Sequence, residues 1–185
     1  MANMCPYLSH LKLSCMYDLT EAGRLSMVSL LRQITQNNPQ IEVLNMYAFS
    51  GDSDREQNIG ELVFETLLNA SVDSLIELDI SCNESWFSNP STREERTDNV
   101  SLLSELISRQ TRLRVNNLNA ISFSSTATQT LLTKIADVLN NIQLTTLVLT
   151  KANFEADETV EKLALILSSA RYLHVCKISG QHGSR

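Results

Sequence analysis

The chain has 185 residues, a formal net charge of −6 at pH 7 and a hydrophobic fraction of 43%. This length suits a single domain, and the composition is that of a globular chain rather than a disordered one. The acidic balance argues against nucleic acid as the main ligand, because phosphate binding needs clustered Lys and Arg side chains. No apolar run spans a bilayer, and residues 1–7 lack the basic and apolar regions of a secretory signal, so we expect a cytoplasmic protein that does not bind membranes.

The four cysteines are Cys5, Cys15, Cys82 and Cys176, and none belongs to a C-x-x-C pair. Such scattered positions support neither a zinc site nor a disulfide framework. We therefore expect free and mostly buried thiols, with no metal and no cofactor.

A short motif, apolar-x-x-apolar-x-apolar, recurs along the chain. Its copies begin near residues 8, 41, 75, 115, 144 and 173, at spacings of 33, 34, 40, 29 and 29 residues. Each copy ends in alternating apolar and polar residues, as in Leu147-Val148-Leu149, which predicts a short strand with one buried face. We expect parallel strands near residues 10–14, 43–47, 77–81, 117–121, 146–150 and 175–178.

Apolar stripes at helical spacing separate these motifs. In chain order the stripes begin at Leu25, Ile59, Val100, Leu132 and Val160. An apolar residue every three or four positions predicts an amphipathic helix. Helix starts are expected at residues whose side chains can accept from free backbone N–H groups, namely Thr20, Thr97 or Asp98, Ser125 and Asp157. The predicted order is strand, loop, helix and turn, repeated about five times, with a sixth strand at the end.

Units of this kind stack into one core, because no single unit buries its own apolar face. A doubly wound parallel sheet is the competing architecture. Its strands would be longer apolar runs, and a Gly-rich phosphate loop would be expected. The chain has only five glycines, and none lies in such a pattern.

Residues 75–83, Leu-Ile-Glu-Leu-Asp-Ile-Ser-Cys-Asn, match the pattern L-x-x-L-x-L-x-x-N in full. From about residue 7 to 180 the chain therefore resembles the leucine-rich repeats, in their ribonuclease-inhibitor-like subclass. The resemblance implies an α/β solenoid, a right-handed βα horseshoe with parallel strands on the concave side and helices on the convex side. Residues 1–185 would form one domain of about five to six repeats, either complete or part of a longer solenoid. The pattern's Asn is replaced in other copies, at Met16, Phe49, Phe123 and Ala152.

Alternate strand residues in such a solenoid project from the concave face. We expect the fourth copy to contribute Asn117, Asn119 and Ile121 there. The face is mixed and polar, which favours protein binding over catalysis, and its expected contacts are Tyr47, Glu77, Asp79, Asn117 and Asn119. Glu77 and Asp79 could serve as an acid and base pair, but exposed strand faces carry polar residues in any case. No catalytic or metal-binding residue is predicted.

The third copy is about 11 residues longer than a 29-residue repeat, and the excess lies at residues 84–96. Insertions in repeat proteins map to loops, and Trp is enriched in interface hot spots. Trp86 is therefore a predicted partner contact. The alternative is that Trp86 and Phe87 pack against the edge of the solenoid.

The sequence thus predicts a non-catalytic protein–protein interaction module or scaffold, which binds a protein through the concave face and the 84–96 insertion. One alternative is a regulatory domain, such as a ligase adaptor or a GTPase activator with Arg93 or Arg96 as an arginine finger. That alternative rests on analogy of fold alone. The other is a structural subunit of a large assembly. The sequence does not predict the oligomeric state.

Overall fold

The computed structural model describes residues 7–15, 19–49, 58–88, 92, 94–139 and 142–180. Within these residues, six strands alternate strictly with five α-helices. They are β1 (His10–Lys12), α1 (Glu21–Asn37), β2 (Val43–Asn45), α2 (Ile59–Asn69), β3 (Glu77–Asp79), α3 (Thr97–Arg109), β4 (Val115–Leu118), α4 (Ser125–Val138), β5 (Thr146–Ala152), α5 (Asp157–Ser169) and β6 (Val175–Gly180). A 3-10 turn, Glu84–Trp86, follows β3.

The strands form one parallel sheet in the order of the sequence, from β1 to β6. Each helix packs against the next one in the chain. A strand that returns to a parallel neighbour does so in the right-handed sense, which places all five helices on one face of the sheet. The predicted parallel strands and five helices are confirmed, and the arrangement is compatible with an α/β solenoid.

One continuous core lies between the sheet and the helices. The inward strand residues Leu44, Leu78 and Leu147 have no exposed surface. Helix residues such as Leu31 and Leu103 meet them from the other side and are equally buried. Because burial removes about 2 kcal/mol of unfavourable hydration per large aliphatic side chain, stacking the repeats stabilises each one.

The register of the fourth copy differs from the prediction. Asn116 pairs with Leu78 on one side and with Leu147 on the other, so this copy begins at Leu113 rather than at residue 115. The predicted motif was two residues late, because a polar residue occupies a position that is apolar in the other copies. Since a shift of two residues keeps the same face of a strand, Asn117 and Asn119 still face outward. Ile121 lies in the core with no exposed surface, so its predicted outward position was wrong.

A column of left-handed residues confirms this register. In the first five copies, the residue four positions after the central inward residue has positive φ, namely Cys15 (58°), Ala48 (48°), Cys82 (60°), Ala120 (59°) and Lys151 (59°). None of them is glycine, so each turn carries strain on the order of 1 kcal/mol. The repeat is therefore visible both in this recurring backbone conformation and in the pattern of apolar side chains.

Asn83 holds the third repeat to the second. Its Nδ2 donates to the carbonyl oxygens of Met46 (2.7 Å) and Ile80 (2.8 Å), and its Oδ1 accepts from the N–H of Phe49 (2.8 Å). Asn83 is fully buried, and its side chain satisfies backbone groups that water cannot reach.

The predicted helix starts are correct to within one residue. Thr20 precedes α1 and accepts from the N–H of Gly23 at 3.2 Å. The cap of α4 is Ser124 rather than Ser125, and it accepts from the N–H of Ala127 at 3.1 Å. The helices α3 and α5 begin at Thr97 and Asp157 without a side-chain cap.

Candidate binding surface

The side of the sheet opposite the helices carries three rows of side chains, which we call the outer sheet face. From β1 to β6 the first row is His10, Val43, Glu77, Val115, Thr146 and Val175, and the second is Lys12, Asn45, Asp79, Asn117, Val148 and Lys177. The third row, two residues further on, is Ser14, Tyr47, Ser81, Asn119, Thr150 and Ser179. On the outer sheet face as a whole, the acidic side chains lie on β3, near the centre of the sheet, and the lysines lie on the two edge strands, β1 and β6.

Three second-row side chains fix the turns at the ends of their strands. In each, the side-chain oxygen accepts a hydrogen bond from the N–H two residues later: Asn45 from Tyr47 (3.2 Å), Asp79 from Ser81 (3.0 Å) and Asn117 from Asn119 (3.2 Å). A short polar side chain that holds its own backbone in this way stabilises a turn. These residues therefore have a structural role besides any contact with a partner.

Hydrogen bonds also link the second and third rows across strands. Ser14 Oγ donates to Asn45 Oδ1 (2.7 Å), and Asn45 Nδ2 donates to Asp79 Oδ2 (3.2 Å). Ser81 Oγ donates to the other oxygen, Asp79 Oδ1 (2.5 Å). Both Asp79 oxygens are thus occupied, and the carboxylate is held in one orientation across three neighbouring strands.

Glu77 differs from Asp79 on the same strand. Among the described residues, no hydrogen bond or ion pair engages its carboxylate, although the residue is half-buried. Its neighbours in the first row are Val43, which is 9% exposed, and Val115, which is half-buried. An acidic group between apolar side chains presents oxygen atoms that a basic group of a partner can reach.

Tyr47 is the most exposed apolar side chain near the centre of this face, at 40%. A hydrogen bond with the Cys82 side chain, together with the charge that this thiol can carry, raises the pKa of the Tyr47 phenol.

Hydrogen bonds also fix the third row where β4 and β5 end. Thr150 Oγ1 donates to Asn119 Oδ1 (3.0 Å) and accepts from the N–H of Ala120 (2.7 Å). The predicted contacts Tyr47, Glu77, Asp79, Asn117 and Asn119 therefore share one face.

Trp86 is not part of that surface. It is 1% exposed and packs edge-on against Phe49 and Phe64, with ring centroids 6.0 and 5.7 Å apart. Phe87 beside it is fully buried, with its ring centroid 5.1 Å from that of Phe123. The prediction of Trp86 as a partner contact was wrong, because the insertion folds its aromatic residues into the core. The alternative reading, in which both aromatics pack against the repeats, is confirmed.

The polar part of the insertion is tied to later repeats. The Glu84 carboxylate accepts from Ser122 Oγ (2.7 Å) and pairs with Lys151 Nζ (3.0 Å). Glu95 accepts from the N–H (2.9 Å) and the Oγ (2.5 Å) of Ser124 at the start of α4. These contacts were not predicted, since residues 29 to 67 positions apart form them. Arg93 lies outside the described residues.

The thiols are more exposed than expected. Cys15 and Cys176 are exposed, Cys82 is half-buried, and all three are free. Cys5 lies outside the described residues. Within the part of the chain that the structure describes, no group of three potential ligand side chains could hold a metal ion. No helix among those residues is long and apolar enough to cross a bilayer.

No protein-family model matches this sequence, and neither a curated protein nor a solved structure matches it.

Proposed function

We propose that this chain is a leucine-rich repeat solenoid that binds a protein partner through its outer sheet face and carries out no chemistry itself. The observation that supports the proposal best is the pairing of a fixed polar row with an unengaged carboxylate, Glu77, and an exposed ring, Tyr47. A surface held rigid before binding loses little conformational entropy when a partner docks.

The charge pattern of the face suggests what the partner presents to it. Acidic groups lie at the centre, on Glu77 and Asp79, whereas Lys12 and Lys177 lie at the two edges. A protein segment with a Lys or Arg side chain over β3 and acidic residues on either side would match this pattern. The same central negative charge disfavours nucleic acid.

The test uses a partner selected from a displayed protein library, with affinity measured for the parent chain and three variants. Tyr47→Ala should weaken binding by about 2 kcal/mol, since exposed aromatic rings are typical hot spots. Glu77→Gln should weaken binding and reduce its dependence on salt. The matched control is Lys134→Glu, an exposed charge on α4 on the helix side. If only Lys134→Glu weakens binding, the helix side is the functional one and the proposal fails.

A further inference from the structure

Among the described residues, the last repeat leaves an apolar surface uncovered. Five of the seven large apolar side chains that are exposed among the described residues belong to α5, β6 or the turn between them: Val160 (50%), Leu165 (48%), Leu167 (50%), Tyr172 (50%) and Val175 (39%). Of these, Val160 and Leu167 share one side of α5, whereas Leu165 lies on its opposite side and Val175 lies on the outer sheet face. The inward-facing residues of β6 are also more exposed to solvent than those of β5. Leu147 and Leu149 of β5 have no exposed surface, whereas Cys176, in register with Leu147, is exposed and Ile178, in register with Leu149, is half-buried.

Comparison of α5 with α4 identifies the side of α5 that is uncovered. Gln129 Nε2 of α4 donates to Glu158 Oε2 of α5 at 2.5 Å, so the side of α4 that carries Gln129 faces the following repeat. Asn116 and Leu147 are in register and 31 residues apart, and the same offset relates Gln129 to Val160. Val160 therefore lies on the side of α5 where a further repeat would pack.

The residue types on this side of the two helices differ. In α4 the residues that face α5 are Gln129, Leu132, Thr133 and Ala136, of which two are polar. The residues at the same offset in α5 are Val160, Leu163, Ala164 and Leu167, and all four are apolar. The uncovered side of α5 is thus more apolar than the side of α4 that is actually packed against a neighbour. Apolar patches of this kind on folded proteins mark interaction sites. We call the four residues of α5, together with the free edge of β6, the terminal face.

We propose that the terminal face binds the terminal face of a second copy of this chain about a two-fold axis, with the two α5 helices antiparallel. An uncharged apolar stripe is complementary to itself, which a two-fold interface requires. Charge at the ends of α5 favours the same arrangement. Asp157 lies in its first turn and Arg171 lies two residues after its last residue, Ser169, so antiparallel helices bring these opposite charges together.

A head-to-tail stack of copies would instead place β6 against β1. The inward positions at the β1 end are not open in the same way, because Leu11 and Leu13 are only 8% and 7% exposed, and the large apolar side chain exposed near β1 is a single ring, Tyr7 (89%). Among the described residues, no strand pairs with the outer edge of β6, so two-fold pairing would also join the hydrogen-bonding edges of two β6 strands.

The oligomeric state of the full chain tests this proposal, measured by light scattering and sedimentation equilibrium over a range of concentrations. The parent should form dimers. Val160→Asp and Leu167→Asp should each raise the dimer dissociation constant at least tenfold, on the order expected for a charge placed in an apolar contact. Leu165→Asp is the matched control, because Leu165 has nearly the same exposure and lies on the opposite side of the same helix. It should leave the dimer unchanged.

A charge exchange tests the orientation without changing any apolar residue. Asp157→Arg alone should weaken the dimer, and Asp157→Arg combined with Arg171→Glu should restore it. A parent that stays monomeric at every concentration would overturn the proposal. Dissociation by Leu165→Asp as strong as that by Leu167→Asp would also overturn it, as would assemblies larger than dimers or a charge exchange that fails to restore binding.

Discussion

Gly60 of α2 and Trp86 of the third-repeat insertion lie so close together that no side chain fits between them. A Cβ atom built on Gly60 would lie 2.8 Å from Trp86 Cβ and equally close to Asn99 Nδ2. Asn99 in turn donates to the Trp86 carbonyl oxygen at 2.5 Å and to Asn58 Oδ1 at 2.6 Å. The glycine therefore allows the insertion to bring its indole ring into the core.

Gly60→Ala should reduce the free energy of unfolding by about 1–3 kcal/mol, because the added methyl group displaces a packed ring and a hydrogen-bonded amide. The control is Gly23→Ala in the first turn of α1, where the nearest atom to an added Cβ is 3.4 Å away. Alanine there should keep or raise stability by up to about 1 kcal/mol, as expected from helix propensity. Thermal denaturation followed by circular dichroism measures both. Equal losses for the two variants would contradict the packing argument.

Asn116→Leu should stabilise the fold by about 1–3 kcal/mol. Asn116 has no exposed surface, and neither polar atom of its side chain has a hydrogen-bond partner among the described residues. Leucine occupies the equivalent position in the flanking strands. Burying the Asn116 amide costs desolvation free energy that no hydrogen bond offsets. Denaturant unfolding measures the change.

Asn83→Leu is the matched opposite of that substitution. The Asn83 side chain makes three hydrogen bonds to buried backbone, so its loss should cost about 2 kcal/mol or more. If Asn116→Leu is also destabilising, then Asn116 is not the unsatisfied group that the structure shows.

Ala120→Gly should stabilise the chain by roughly 0.5–1 kcal/mol, since φ at Ala120 is 59° and glycine adopts that conformation without strain. The control is Ala127→Gly in α4, a buried alanine with helical backbone, which should cost about 1 kcal/mol. The two alanines thus respond in opposite directions to the same substitution. Melting temperatures that fall in both variants would contradict the assigned turn.

The Tyr47 phenol should ionise at a higher pH than an ordinary tyrosine, because Cys82 raises its pKa. The folded chain then holds this proton more tightly than the unfolded chain does. The resulting contribution to stability is present below the ordinary phenol pKa and is lost as the pH rises through the raised one. Phenolate absorbance during an alkaline titration measures the ionisation. Cys82→Ala should lower the Tyr47 pKa and Cys176→Ala should not, whereas an identical titration of parent and Cys82→Ala would refute the assignment.

The apolar spacing predicted the strand register in five of the six copies, because each of those copies keeps apolar side chains at its inward positions. The fourth copy was misplaced since Asn116 is polar, and the neighbouring leucine, Leu118, fits either register. Only pairing with β3 and β5 distinguishes the two, and pairing is a property of neighbouring strands rather than of the local sequence.

For the outer sheet face, the sequence likewise predicted the local features and missed the contacts between repeats. Alternation along a strand is local, so it placed Tyr47, Glu77 and Asp79 on one face. The burial of Trp86 depends on Phe49, Phe64 and Gly60, which lie in the preceding repeat, and no local pattern reports such contacts. The hydrogen bonds that distinguish Asp79 from Glu77 depend likewise on Asn45, one strand away.

The strict order of the sheet also determines how this molecule responds to tension. Among the described residues, each strand pairs only with its neighbours in the sequence, and each helix packs on the next, so a pull on the β6 end loads one pair of neighbouring repeats at a time. The seam between β5 and β6 should part first, because the inward residues of β6 are the least covered. Under force the repeats should unfold one after another from the β6 end, and the chain should lengthen in successive steps of about one strand and one helix.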